Sequence, residues 1–407
     1  MNEKKTHMKS ALEGTTVLDF TRHMSGPYGT LLLGDFGADV IKVESLPHGD
    51  PTRKMGTAFV DGESGMFLIW NRSKRSLALD MRKPEAIEII KRLALKSDIL
   101  AENFRPGVAE EMGIGYEAMA ALNQRLIYLS ISAFGPNGPL AQYPGTDPVV
   151  QAMSGVMSLT GEAGGEPVLV GLPIADFSSA MVAFQAALLG LLARDKTGCG
   201  QRIDVPMLGA LVFGLTTRLA NYWASGKEPK REGSAHSSVA PYQLFRASDG
   251  DIVAGAWTND TWPRFCAAIG LPELQQDPRF ATNPDRMANL VEMNNILKPV
   301  FSSRTVAEWE EAFHKANALF GPVLTIPQVL AHPQIEALGM VQSVQHPRIG
   351  KIPMLAPPIF MSETPGGIKR PPPMFGEHTA EILGEIGFSQ SQVENFVEKK
   401  VVFAHGL

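Results

Sequence analysis

In the stretch GLPIADFSSAMVAFQAALLGLLARDKTG, residues 171–198, one carboxylate, Asp176, sits between Ile174–Ala175 and a long run of small and apolar residues. A charge buried without partners costs several kcal/mol, so a carboxylate in this setting is capped, paired or used. Asp is favoured at helix N-caps, and the residues that follow read as a buried helix closing at Thr197–Gly198. On local grounds alone Asp176 is expected as the N-cap of that helix.

Competing chemistries lack their signatures. There is no G-x-S-x-G for a nucleophile elbow, no G-x-x-x-x-G-K-[ST] for a P-loop, and no G-x-G-x-x-G after the first strand for a dinucleotide. The nine histidines are dispersed, and the two cysteines, Cys199 and Cys266, make neither a disulfide framework nor a zinc site. No metal site is expected. What remains is carboxylate chemistry and anion binding. Three loops rich in backbone donors suit an anion: HMSGPYG at a helix start, and ENFRPG and SISAFGPNGP at strand ends. The densest basic cluster, NRSKRSLALDMRK (71–83), suggests a site for a small anion, with Lys74 and Arg75 either assisting there or forming a solvated basic face.

The elements that must position these residues alternate along the first half. Strands are expected at 15–20, 38–44, 98–104, 125–135 and 201–207, and helices at 26–37, 84–97, about 115–123 and after Asp176. This alternation predicts an α/β fold with a mostly parallel sheet covered on both faces. From about 225 to 325 the pattern changes to a strand pair or hairpin edge (249–257) and helices at 260–270, 286–301 and 305–316, a smaller α+β domain. The expected organisation is a large domain over 1–224, a small domain over 225–325, and a C-terminal segment over 326–407 with Pro-rich connections at 354–378 and a short helix at 379–386.

Length and composition bound the class. With 407 residues, 44% hydrophobic and 19% charged, the chain reads as a globular protein with ample core. A net charge of −5 with scattered Lys and Arg gives no sign of a nucleic-acid surface. The opening MNEKKTHMKSALEG is polar and reads as neither signal peptide nor anchor, and the apolar run 180–193 is short and Ala/Gly-rich for a membrane span. A cytoplasmic protein without membrane contact is expected.

Taken together, LEGTTVLDFTRHMSGPYGTLLLGDFGADVIKVE, NRSKRSLALDM, ENFRPG, ISAFGPNGP, DPVVQAMSGVMSLTG, KTGCGQRIDVPM and MFGEHTAEILGEIG resemble, in this order, the family III CoA-transferases, also called the CaiB/BaiF family. The resemblance covers nearly the whole chain. The middle segment GSAHSSVAPYQLFRASDGDIVAGAWTND (233–260) is similar to the branch that includes succinate–hydroxymethylglutarate CoA-transferase.

The resemblance implies a Rossmann-like large domain built from both chain ends, a small central domain, and two subunits interlocked as rings in a homodimer. It places Asp176 at the family's catalytic aspartate, the nucleophile that forms an aspartyl-CoA intermediate while CoA moves between carboxylic acids. Backbone N–H groups at the helix start are expected to orient the carboxylate and stabilise the oxyanion. The acyl-CoA is substrate, and no permanently bound cofactor is implied. Family positions that contact CoA correspond to His23, Met24 and Ser25, to Leu79, Asp80, Met81 and Arg82, and to Asn103, Phe104 and Arg105. Arg82 is the expected phosphate partner. Asp147 matches an acidic position beside the nucleophile, either managing charge there or capping a helix, and Trp257 or Asn259 is expected to face the acyl group. Ser45 and Glu111 depart from formyl-CoA transferase, which has arginines there, and the glycine-rich loop of that enzyme has no counterpart. Two alternatives stand beside the transferase: an acyl-CoA racemase working by α-proton transfer, whose usual His is not evident near Tyr143 or Met153–Ser154, and a non-catalytic CoA-binding protein.

Overall fold

A computed structural model describes residues 10–407, so part of the polar opening stretch, residues 1–9, lies outside the described residues. The chain forms two compact units. The first takes the chain up to Val156, then Leu169–Trp223 and Gln334–Leu407; the second takes Met157–Val168 and Ala224–Pro333.

In the first unit, alternating strands and helices build one sheet: β1 (Thr16–Asp19), α1 (Pro27–Asp35), β2 (Asp39–Ser45), β3 (Lys74–Leu79), α2 (Pro84–Lys96), β4 (Ile99–Glu102), α3 (Tyr116–Leu122), β5 (Ile127–Ser132), α4 (Asp147–Met153), α5 (Ile174–Thr197), β6 (Arg202–Pro206) and α6 (Met207–Gly214). Near the C-terminus α7 (Thr379–Glu385) and β7 (Val402–Phe403) join them. The strand order is β7-β3-β2-β1-β4-β5-β6, parallel throughout except for β7, which runs antiparallel to β3. Chain order 3-2-1-4-5-6 is that of a doubly wound sheet. Its connections reverse between β1 and β4, opening a crevice at the carboxyl ends of those strands.

Strand periodicity sorts the core into two faces. Val17, Val40, Ile99, Ile127 and Leu129 point to the layer that contains α1 and α5, whereas Leu18, Ile41, Leu77, Leu100 and Tyr128 point to the layer of α2, α3 and α7. Gly29 lets α1 meet α5 closely, because a Cβ there would lie 2.9 Å from the Ala180 carbonyl oxygen. Helix α5 has the length and apolarity of a bilayer span, yet it packs on α1, α4, α6 and β5, which accounts for its composition. It ends where the sequence signals, at Gly198 in the left-handed region (φ 80°), whose N–H donates to the Arg194 carbonyl.

The basic cluster 71–83 departs from expectation. Its first half is β3, buried along its whole length, so Lys74 and Arg75 are neither a solvated face nor free for an anion. Lys74 pairs with Asp19 at 2.9 Å, and Arg75 pairs with Asp39, Glu381 and Glu385. Their partners lie 36 to 310 residues away in sequence, which a local reading of charge does not detect. The helix expected over 286–301 is also two, Asn283–Ala288 and Leu290–Phe301, divided at Asn289.

The second unit has a three-stranded antiparallel sheet in which Asp251–Gly255 lies between Tyr242–Arg246 and Leu319–Pro322. Its core is aromatic: Phe245 stacks on Phe301 at 4.1 Å, and Phe265, Trp309 and Phe313 close around them.

Because Arg75 ties α7 to the sheet through Glu381 and Glu385 and also pairs with Asp39 of β2, Arg75→Ala leaves three charges unmatched and should cost about 2–4 kcal/mol of stability. A guanidinium denaturation series checks this. The same variant should keep the Michaelis constant for acyl-CoA unchanged.

Candidate active site

The crevice between β1 and β4 is built from below. Asp19, fully buried at the end of β1, accepts from the Thr21 N–H and hydroxyl, from the Thr30 hydroxyl and from Lys74. Lys74 also donates to the Pro27 carbonyl, and Lys42 donates to the Thr21 carbonyl while pairing with Asp50 at 2.7 Å. The Phe20–Pro27 turn is thus held by buried ion pairs. Burial would raise the Asp19 carboxyl, but Lys74 and Lys42 override it and hold it below the usual range. Burial brings the Lys74 ammonium down to about 8 against the pull of Asp19.

From the β4 side, Asn103 clamps the same turn. Its Oδ1 accepts the Arg22 N–H at 2.8 Å, and its Nδ2 donates to the Arg22 carbonyl and to the Ser25 hydroxyl. The Arg22 guanidinium lies over the Phe104 ring at 5.1 Å and donates to Ser45 at the end of β2. Arg22 escaped the sequence reading. Its only local signal was a cation in the turn that follows β1.

The start of α5 supplies the carboxylate pair. Asp176 is the third residue of α5, not its N-cap; Pro173 occupies the cap and has no side-chain acceptor to offer. The capping is done from outside the helix by Asp147, the first residue of α4. Its Oδ1 accepts from the Ala175 N–H at 2.7 Å and the Asp176 N–H at 3.2 Å, and its Oδ2 accepts from Gln151 at 2.6 Å. The amides expected to serve an oxyanion are therefore occupied by Asp147. The Asp176 carboxyl, released from capping, accepts from the Ser25 hydroxyl. Burial first and the Asp147 charge second push its pKa up to about 6, with Ser25 partly opposing them. Near neutral pH it is a mostly ionised, poorly solvated and unusually basic carboxylate, properties that suit nucleophilic attack.

The remaining expected site residues cluster at the carboxyl edge of the sheet or lie in the second unit. His23 is exposed in a left-handed turn (φ 63°), and Met24 and Ser25 are buried beside it. At the end of β3, Leu79 is fully buried, Asp80 is buried, and Met81 packs on the core; only Arg82 reaches solvent, its side chain 81% exposed and paired with Asp80 at 2.8 Å. The Leu79 side chain is thus a core residue, leaving its backbone alone to meet a ligand. At the end of β4, Phe104 is half-buried and Arg105 exposed. Trp257 is 51% exposed in the second unit, whereas Asn259 is engaged structurally, its Oδ1 accepting from the Asn283 N–H and from Arg286. Glu111, one of the family departures, is exposed at the end of a short helix.

The chain is similar to known CoA-transferases along nearly its whole length. Residues 12–379 match the model of CoA-transferase family III. The chain is 38% identical over 395 residues to succinyl-CoA:glutarate CoA-transferase of Mus musculus, covering 97% of this chain and 91% of that protein. It is 40% identical over 375 residues to the Homo sapiens protein of the same name, covering 92% and 86%. A crystal structure of a CAIB/BAIF family protein from Brucella suis superposes with a TM-score of 0.83 at 36% identity, covering 93% of this chain and all of that one. The chain belongs to CoA-transferase family III. It is a CoA-transferase, as its relatives are.

Two expectations follow from the carboxylate pair. A folded-state pKa raised from 3.8 to about 6 means that the native state binds the proton more tightly, so Asp176 lowers stability progressively as pH rises through that window. Asp176→Asn should therefore stabilise the protein by about 1–3 kcal/mol above pH 6, with the gain vanishing below about pH 4; thermal melts across pH read it directly. Asp147→Asn keeps an acceptor for the α5 amides but removes the repelling charge, so the acid limb of the pH–rate profile should move to lower pH.

Proposed function

We propose that this protein moves CoA from a dicarboxylic acyl-CoA to a free dicarboxylic acid through an aspartyl-CoA thioester on Asp176. The observation that carries the reading is the Asp147–Asp176 arrangement, in which one carboxylate takes the helix amides and leaves the other with only the Ser25 hydroxyl and a raised basicity. In the proposed cycle the Asp176 oxygen attacks the thioester carbonyl, the C–S bond breaks, and CoA leaves as thiolate. The thiolate then attacks the Asp176 carbonyl of the mixed anhydride and expels the donor acid as carboxylate. The acceptor carboxylate repeats the two steps in reverse, regenerating Asp176 and releasing the new acyl-CoA. Atoms and charge balance without a metal, redox partner or net proton, and CoA enters only as substrate.

Relatives named succinyl-CoA:glutarate and succinate–glutarate CoA-transferases support dicarboxylic acids as donor and acceptor. For the nucleotide, the reading uses Arg22, His23, Arg82 and Arg105 at the carboxyl edge of the sheet, where a doubly wound fold collects its ligand. The homodimer belongs to the same proposal. It is supported by Phe213 on α6 and Trp223 on the next helix (Thr216–Ser225), which are 83% and 75% exposed and offer an apolar face to a second subunit. A reducing, cytoplasmic setting is proposed from the two free cysteines.

Incubation with acyl-CoA in the absence of acceptor should leave Asp176 as a CoA thioester. Hydroxylamine should convert it to a hydroxamate on the peptide that holds residues 171–194, and the trapped fraction should fall when acceptor acid is added. An unmodified peptide together with exchange of the substrate α-hydrogen into deuterated water would instead establish proton-transfer isomerisation.

A further inference from the structure

The end of β4 holds a buried carboxylate without a counter-ion. Glu102 is 4% exposed, and among the described residues no cation pairs with it. Arg202 of β6, whose charge acts on it, is itself paired with Asp204 at 3.0 Å and faces Glu110 at 3.9 Å. Glu110, on the short helix Val108–Glu111, adds a like charge, and the Tyr128 hydroxyl on β5 is buried with no partner among the described residues. Burial first and Glu110 second lift the Glu102 carboxyl to about 7, against the Ser130 hydroxyl, the Phe104 N–H and Arg202. A buried charge left unmatched is costly, so its position calls for a use.

What Glu102 holds is the turn beside the carboxylate pair. Its Oε2 accepts from the Phe104 N–H at 2.7 Å, and its carboxylate accepts from the hydroxyl of Ser130, its register neighbour on β5. The residue enclosed by that turn is Asn103. Its Oδ1 accepts the Arg22 N–H at 2.8 Å, and its Nδ2 donates to the Arg22 carbonyl at 2.7 Å and to the Ser25 hydroxyl oxygen at 3.3 Å. Arg22 needs an oxygen for its N–H and an N–H for its carbonyl, so the orientation of the Asn103 amide is fixed. The bond to Ser25 then sets a direction. With the hydroxyl oxygen accepting from Asn103, its single hydrogen is left for the Asp176 carboxyl. An Asn103 amide turned over would present its oxygen instead and draw that hydrogen away.

We propose that Glu102 is a positioning residue for Asp176: through the Phe104 amide it holds Asn103 in the orientation that keeps the Ser25 hydroxyl turned toward that carboxyl. Glu102 itself touches no reacting atom. The importance of Asp176 rests on the function proposed above, whereas the hold on the turn rests on the hydrogen bonds at the end of β4. An ionised carboxylate accepts an N–H more strongly than a protonated carboxyl does, so the hold tightens as Glu102 loses its proton and slackens as it gains one.

The test compares the full-length enzyme with Glu102→Gln, which keeps an acceptor without the charge, and Glu102→Met, which fills similar space without an acceptor. Glu102→Met should lower turnover roughly 10- to 100-fold, the effect of a small misplacement near the reacting group, and Glu102→Gln should recover most of the loss. In an Asn103→Ala background the same Met substitution should cost no more than about threefold, because the residue it acts through is already gone. A spectroscopic reading uses the wild type itself, labelled with nitrogen-15 at phenylalanine. The Phe104 amide proton, assigned by its loss in Phe104→Leu, should move upfield as pH falls through about 7 and should not follow pH there in Glu102→Gln. Full turnover in Glu102→Met, or equal losses from it in both backgrounds, overturns the proposal. So does a Phe104 amide that ignores pH in the wild type or still follows it in Glu102→Gln. Coupled losses and the expected amide shift in an enzyme whose Asp176 forms no CoA adduct leave Glu102 its positioning role and overturn the proposed function instead.

Discussion

The site depends on two carboxylates placed where one would ordinarily suffice. A helix start has unpaired amides that attract an anion, and the carboxylate nearest in sequence, Asp176, would normally satisfy them. Here Asp147 reaches in from α4 and takes the Ala175 and Asp176 amides, and Gln151 fixes its second oxygen. Asp176 is then left in a half-buried position with a like charge beside it and one hydroxyl, Ser25, for compensation. That arrangement costs stability and yields a carboxylate with the basicity of a much weaker acid. A strained electrostatic position of this kind is what a nucleophile needs and what a structural cap avoids.

Everything around the pair serves to keep it in place. Ser25 stands in a turn with one anchor beneath it and one beside it: the Asp19–Lys74 pair and Lys42 hold its ends, and Asn103 grips its middle at the Arg22 backbone and the Ser25 hydroxyl. These anchors come from β1, β2, β3 and β4, four neighbouring strands whose carboxyl ends meet at the reversal of the sheet. The location of the crevice follows from strand order, and its rigidity follows from charges buried under it. Buried ion pairs contribute little net stability, but losing one partner is costly, so such a network specifies geometry more than it stabilises the fold.

Much of this was legible in the sequence, and the divisions are physical. Strand–helix alternation gave the parallel sheet, because period-2 and period-3.6 patterns are local. The end of α5 at Gly198 was visible because only a residue without a Cβ adopts that conformation readily. The role proposed for Asp176 comes only from the order of motifs along the chain, since its immediate context reads as a cap. Lys74 and Arg75 were misread because a run of basic residues looks the same whether its counter-charges are solvent or distant carboxylates. The Arg286–Asn259 bond was not legible either, because the guanidinium is held mainly by the carbonyls of residues 240 and 280, and carbonyls have no sequence signature.

Whether Asp176 is the uncapped and unusually basic carboxylate described above can be read by carbon-13 NMR of protein labelled at the aspartate carboxyl carbons. Asp176 is assigned by the resonance that disappears in Asp176→Asn. The account predicts that this resonance titrates with a midpoint near 6. A midpoint between about 3 and 4, the range of an ordinary exposed aspartate, would contradict it.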